Sequence, residues 1–159
     1  MKLSTKGRYG LRAVIDLALH DNEDAVALSQ IAERQGISMN YLEQLIAKLK
    51  KAGIVNGIRG AQGGYKLAVA ADKISVGDIL RALEGDLSPV DCSEVIGSES
   101  TAACSNADSC VTKYVWKRIS DSINEAVDGI MLSELVDESR KIQADSSGND
   151  TKGKYACGK

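Results

Sequence analysis

The 159-residue sequence predicts a mainly α-helical protein, a winged helix-turn-helix with a two-stranded wing plus a long C-terminal dimerisation helix. Three observations lead there. Apolar residues recur at steps of three and four in three successive segments before Gly53. A glycine-rich hairpin follows directly. Beyond a stretch without apolar period, a second apolar stripe begins near Cys110 and runs to Met131. Phe is absent, Pro occurs once, and Leu, Ile, Val and Ala carry the apolar content, as a helical chain of one domain, or a small domain with an appendage, requires.

The first helix is expected over residues 5–20, with Tyr9, Leu11, Val14, Ile15, Leu17, Ala18 and Leu19 on its apolar face, ending at His20 and the acidic turn DNED. A short second helix is expected from Ser29, a good cap residue, through Ile31, Ala32 and Arg34, stopping at Gly36. Ser38 caps the third, where Leu42, Leu45, Ile46 and Leu49 form the stripe and Gly53 the stop. A short helix, a glycine turn and a longer amphipathic helix outline a helix-turn-helix.

With that stripe buried, Asn40, Tyr41, Glu43, Gln44, Ala47, Lys48 and Lys51 lie on the open face. Amides and a phenol in the first turns suit base edges in a major groove, and lysines further along suit phosphates. Glu43 is the one acid there; it repels phosphate and guanine acceptors, so it rejects wrong sites or accepts from a cytosine amine. The run IVNGIRGAQGGYKLAVA then gives two strands, Ile54 to Ile58 and Tyr65 to Val69, joined by a slim tip where Arg59 and Gly60 can enter a minor groove. A phosphate-cradling loop is the rival reading of these glycines, but no Gly-Lys-Ser/Thr follows and no helix begins at the loop's end. Ser75-Val-Gly-Asp78 is a capping box opening a helix that closes at Gly85. Residues 1–85 are therefore the expected DNA-binding domain.

Residues 86–109 read as a loop carrying Cys92 and Cys104, with Cys110 at its end. From there Val111, Tyr114, Val115, Ile119, Ile123, Val127, Ile130 and Met131 make a stripe that a small domain has little surface to bury, so 110–142 is expected to pair with its copy in a homodimer. Residues 143–159 are polar and expected to be a disordered tail, with Cys157 a bystander. The net charge of −2 hides an asymmetry: residues 1–70 hold ten Lys or Arg against six Asp or Glu, and 71–159 ten against sixteen. A basic first half is consistent with a polyanion partner. No run is long and apolar enough for a membrane, and a cytoplasmic location is expected. Thiols stay reduced there, so metal binding or redox chemistry outranks a disulfide framework.

The segments MKLSTKGRYGLRAVIDLAL and ISMNYLEQLIAKLKKAGIVNGIRGAQGGYKLA, the three cysteines and VTKYVWKRIS together resemble the IscR/NsrR-type family of dimeric winged-helix transcription factors, over roughly residues 1–140. The resemblance implies a sequence-specific regulator of double-stranded operator DNA, a repressor or dual regulator, with a 2Fe–2S cluster held by Cys92, Cys104 and Cys110. It also links the position of Glu43 to a switch between two operator classes. Two departures stand out. Eleven residues separate Cys92 from Cys104 where the family usually has five, and Lys113 occupies the place of a ligating histidine. A loop absorbs six extra residues at small entropic cost. The fourth ligand stays open among Asp91, Glu94, Glu99, Asp108, Cys157, solvent, and His20 or an acid of a partner chain. The acid that some relatives supply from the partner's first helix corresponds to Arg8 here, so it does not transfer. Zinc without a Cys-x-x-Cys knuckle, or thiols with no ligand, are the alternatives at this segment. A cluster-free repressor responding to a protein partner or to thiol oxidation is the rival function. An electron-carrying iron–sulfur protein or an enzyme has no use for the helix-turn-helix and wing, and no Ser-His-Asp or paired-acid constellation is present, so the chain is read as no enzyme.

Overall fold

The computed structural model describes residues 4–21, 24–60, 63–90 and 109–147. In chain order come α1 (Thr5–His20), α2 (Leu28–Gln35), α3 (Met39–Lys51), β1 (Val55–Ile58), β2 (Gly64–Leu67), a 3-10 turn (Ala71–Lys73), α4 (Val76–Glu84), α5 (Thr112–Asp128) and α6 (Leu132–Ser147). A winged helix with a two-stranded wing is what the periodicity predicts.

Helix α3 buries the stripe read from its spacing and α2 buries Ile31 and Ala32, whereas of the stripe expected on α1 only Val14 and Leu17 are fully buried, Tyr9, Leu11, Ile15, Ala18 and Leu19 pack at the margin, and Ala13 joins the core. Ala13, Val14 and Leu17 of α1, Ile31 and Ala32 of α2, and Leu42, Leu45, Ile46 and Leu49 of α3 form one core with Val55 of the wing, Ile79 and Leu83 of α4, and Leu132 and Val136 of α6. One acid is buried among them. Asp16, 3% exposed, accepts from Arg34 Nε at 3.0 Å and Nη2 at 2.6 Å and from Gln35 Nε2 at 2.7 Å, which locks α2 onto α1. Gly36 ends α2 in the left-handed region at φ 63°, where glycine escapes the penalty paid by a side chain.

The start of α2 differs from expectation. Ala27, not Ser29, is the cap, and its carbonyl accepts from the amides of Gln30 and Ile31. The reason is tertiary: Val26 exchanges both backbone hydrogen bonds with Tyr65 of β2, at 2.9 and 2.8 Å, which holds the chain extended up to Ala27. Ser29 then falls inside the first turn. The wing itself is antiparallel with Val55 opposite Leu67 and Ile58 opposite Gly64. Gly64 is required where it stands, because a Cβ there would collide with the backbone of Val26.

The expected capping box forms: Asp78 N donates to Ser75 Oγ at 3.0 Å and Ser75 N to Asp78 Oδ2 at 2.9 Å. The single long helix expected over 110–142 does not. It is broken at Gly129–Met131 into α5 and α6, because Ile130 and Met131 pair with the segment before α4. Val76 N donates to Ile130 O and Leu132 N to Ile74 O, so these two residues leave the stripe for a β-bridge. Helix α6 also continues to Ser147, past the expected start of the tail, while residues 148–159, Cys157 among them, lie outside the described residues. A smaller apolar cluster of Val76, Leu80 and Leu87 packs against Ile123 and Val127 of α5 and Leu135 of α6. No helix among the described residues is long and apolar enough to cross a membrane.

Candidate nucleic-acid interface

Helix α3 is launched by Ser38, whose side chain accepts from Tyr41 N, and its buried stripe leaves Asn40, Glu43, Gln44, Ala47 and Lys51 exposed on one side. These are the residues that the spacing places on the open face. Two others are engaged differently. Tyr41 is half-buried: its ring meets that of Tyr9 edge to face, centroids 6.1 Å apart at 88°, and its hydroxyl donates to Thr5 Oγ1 at 3.2 Å. It therefore steadies the start of α3 on the start of α1. Lys48 reaches the other way and donates from Nζ to the carbonyl of Leu83 at 3.0 Å, tying α3 to the last turn of α4. Spacing along one helix could not show either contact, since both partners come from other elements.

At the wing, Arg59 is exposed directly after β1, and Gly60 at φ 132° adopts a backbone that side chains rarely accept. Gly63 N donates back to Gly60 O at 3.0 Å, which closes the tip, while Ala61 and Gln62 lie outside the described residues. Helix α3 and the Arg59 tip thus present an exposed polar face and an exposed cation, joined by a short turn and strand β1.

Of the three candidate ligands, Cys110 is described, half-buried just ahead of α5. Its Sγ lies 3.1 Å from Thr112 Oγ1. The hydrogen bond from the Thr112 hydroxyl, then that from the Lys113 amide, hold the thiol below its ordinary pKa and favour thiolate, the form that binds metal. Cys92 and Cys104 lie outside the described residues, as do Asp91, Glu94, Glu99 and Asp108. Lys113 places its ammonium over the Tyr114 ring, 5.5 Å from the centroid. His20 sits on α1 with Nδ1 2.8 Å from the carbonyl of Asp16.

Comparison with known proteins fits this arrangement. Residues 3–138 match the model of the family described as Rrf2, iron-dependent transcriptional regulator. The chain is 44% identical over 136 residues to the HTH-type transcriptional regulator IscR of Aliivibrio salmonicida, covering 86% of this chain and 77% of that one. Among solved structures it is similar to T. potens IscR, at 42% identity and TM-score 0.66, covering 96% of this chain and 94% of that one. It is also similar to CymR (YrzC), the global cysteine regulator of B. subtilis, at 40% identity and TM-score 0.68, covering 87% and 98%. The relatives are regulators by name rather than enzymes, and the winged helix with its exposed α3 is the part such proteins need. The chain belongs to the Rrf2 family of DNA-binding transcriptional regulators.

Proposed function

We infer that the protein is a cytoplasmic homodimeric repressor or dual regulator that reports iron–sulfur status through a 2Fe–2S centre and controls genes of iron–sulfur assembly. The observation that carries the reading is the junction at Cys110: a thiolate-favouring cysteine stands two residues ahead of α5, and α5 packs directly on the winged body. Asn40, Tyr41, Glu43 and Gln44 read bases, Arg59 and Gly60 enter the flanking groove, and Lys51 meets phosphate. Lys48 keeps part of its ammonium for Leu83, so it meets phosphate with its remaining N–H groups. Two copies join through α5, whose Tyr114, Val115 and Ile119 are exposed together with Val111 just ahead of it.

The donor chemistry of Cys92, Cys104 and Cys110 fits the cluster, since thiolates are its usual ligands and a non-cysteine fourth ligand is compatible with a responsive centre. When bound, such a centre supplies a redox- and iron-sensitive link between the three cysteines. Cys110 would pass that link to the start of α5, while the hydrogen bond with Thr112 favours its thiolate. A second reading, a cluster-free regulator that responds to thiol oxidation, gains from the likeness to the cysteine regulator of B. subtilis and from Lys113.

Anaerobic reconstitution separates the two. About two irons and two sulfides per chain are expected, lost on changing Cys92, Cys104 or Cys110 to Ala and kept in Cys157→Ala and Lys113→Ala. Stoichiometric zinc without sulfide, or a cluster that survives Cys104→Ala, would favour the second reading.

A further inference from the structure

Helix α4 grips both the reading helix and α5. On the α5 side, Arg81 Nη1 donates to Asn124 Oδ1 at 2.9 Å, and Arg81 Nη2 pairs with the Asp128 carboxylate. Asp78 flanks the same guanidinium at 3.9 Å. The pair lies close against the start of α4: a Cβ on Gly77 would meet the far ends of both side chains, the Asp128 carboxylate and Arg81 Nη2. One turn away the bridge between Ser75 and Met131 pins the α5–α6 elbow to the start of α4. At the other end of α4, Leu83 O receives Lys48 of α3 and Glu84 receives the start of α1. No loop intervenes between α5, α4 and α3 in this chain of contacts.

Resting on the dimer and reading-helix assignments above, we propose that Arg81 is a positioning residue for DNA recognition: with Gly77 it fixes the angle of α5 on α4, and so sets the half-site spacing that the dimer accepts. In a dimer joined through α5, the separation of the two copies of α3 depends on that angle, since α3 is tied to α4 and α4 to α5, while the Ser75–Met131 bridge and the packing of Leu132 and Val136 hold the far end of α5. Each base pair inserted between half-sites moves them apart by about 3.4 Å and turns one relative to the other. A rigid joint rejects such a change; a loose joint follows it.

The test uses the full-length protein and duplexes carrying the half-sites that the wild type selects from a random library, at the selected spacing and with one base pair added or removed. Wild type is expected to prefer its selected spacing by about tenfold or more, a difference of about 1.4 kcal/mol. Arg81→Ala should narrow that preference to about threefold or less, and Arg81→Lys, which keeps the charge facing Asp128, should recover part of it. If Arg81→Ala does not fold, Asp128→Ala, which opens the joint from its exposed side, is read by the same criterion. A folded variant that loses affinity equally at all spacings, or keeps the full preference, overturns the proposal. A wild type that is monomeric, or that shows no spacing preference, overturns instead the dimer and reading-helix assignments on which it rests.

Discussion

The body built from α1 to α4, the wing and the start of α6 is closed on itself, whereas α5 is open. In the body, Val14, Leu17, Ile31, Leu42, Leu49 and Ile79 are completely buried, and the one deeply buried acid there, Asp16, is met by a guanidinium and an amide. Helix α5 buries one residue, Ser120, while Val111 is 77% exposed, Tyr114 64% and Val115 52%. The two regions are comparably helical and differ in what completes them. The body is completed by its own chain; α5 has a finished side toward α4, through Ile123 and Val127, and an unfinished one. Stability therefore resides in the first region, and the second carries the exposed apolar face through which the proposed dimer would form.

The largest effect should come from hollowing the closed region. Leu17→Ala removes a fully buried side chain between α1 and its neighbours and is expected to destabilise the protein by about 2 to 5 kcal/mol. Urea denaturation measures it, and a loss under about 1 kcal/mol would mean that the body is not the closed core described. Next comes the open side. Ile119→Asp places a charge on the unfinished face of α5 and should shift dimer to monomer by about 2 kcal/mol or more, yet leave the unfolding of the monomer nearly unchanged. Sedimentation velocity with parallel melts would show both, and a monomer equally destabilised would erase the contrast between the regions.

The smallest effect tests a polar seam of the body. Burial pushes the Glu84 carboxyl up, but the Ser4 hydroxyl and the Gly7 and Ser4 amides outweigh it and hold the carboxyl below its ordinary value. A depressed acid stabilises the fold above its ordinary pKa, and that contribution is lost as pH falls through the lowered value. Glu84→Gln should thus be less stable than wild type by about 1.5 kcal/mol at pH 7, and the two should converge on acidification below the ordinary glutamate range. Parallel stability curves down to strong acid would show that Glu84 is not the titrating group.

The closed region was largely legible in the sequence because its information is local. Steps of three and four exposed the stripe Leu42, Leu45, Ile46 and Leu49; Gly36 and the Ser75–Asp78 box marked ends; Gly60, Gly63 and Gly64 marked the wing. What escaped was set by contacts between distant segments. Val26 decided where α2 begins by pairing with Tyr65, and Ile130 and Met131 kept the period of a helix that their pairing near Ser75 interrupts. The candidate interface shows the same division. Asn40, Glu43, Gln44 and Arg59 are exposed as their spacing requires, whereas the engagement of Tyr41 with Tyr9 and of Lys48 with Leu83 depends on partners that no single-helix pattern contains.

Glu84 carries one more consequence, which concerns helix dipoles. It is the last residue of α4, at the carbonyl end, where the partial negative charge of its own helix disfavours an acid. Helix α1 has no acid in its first turn, and its positive end accepts the Glu84 carboxylate instead, with Gly7 N at 2.8 Å and Ser4 N at 3.0 Å. The two helices thus meet as opposite poles, each correcting the other's electrostatic deficit. The anion that completes the first turn of α1 comes from a residue 80 positions later in the chain. Ser4 caps that turn locally by accepting from Lys6 N, but the amides of Ser4 and Gly7 gain their carboxylate only once a long loop has closed, so the first turn of α1 should be completed together with the docking of α4 during folding.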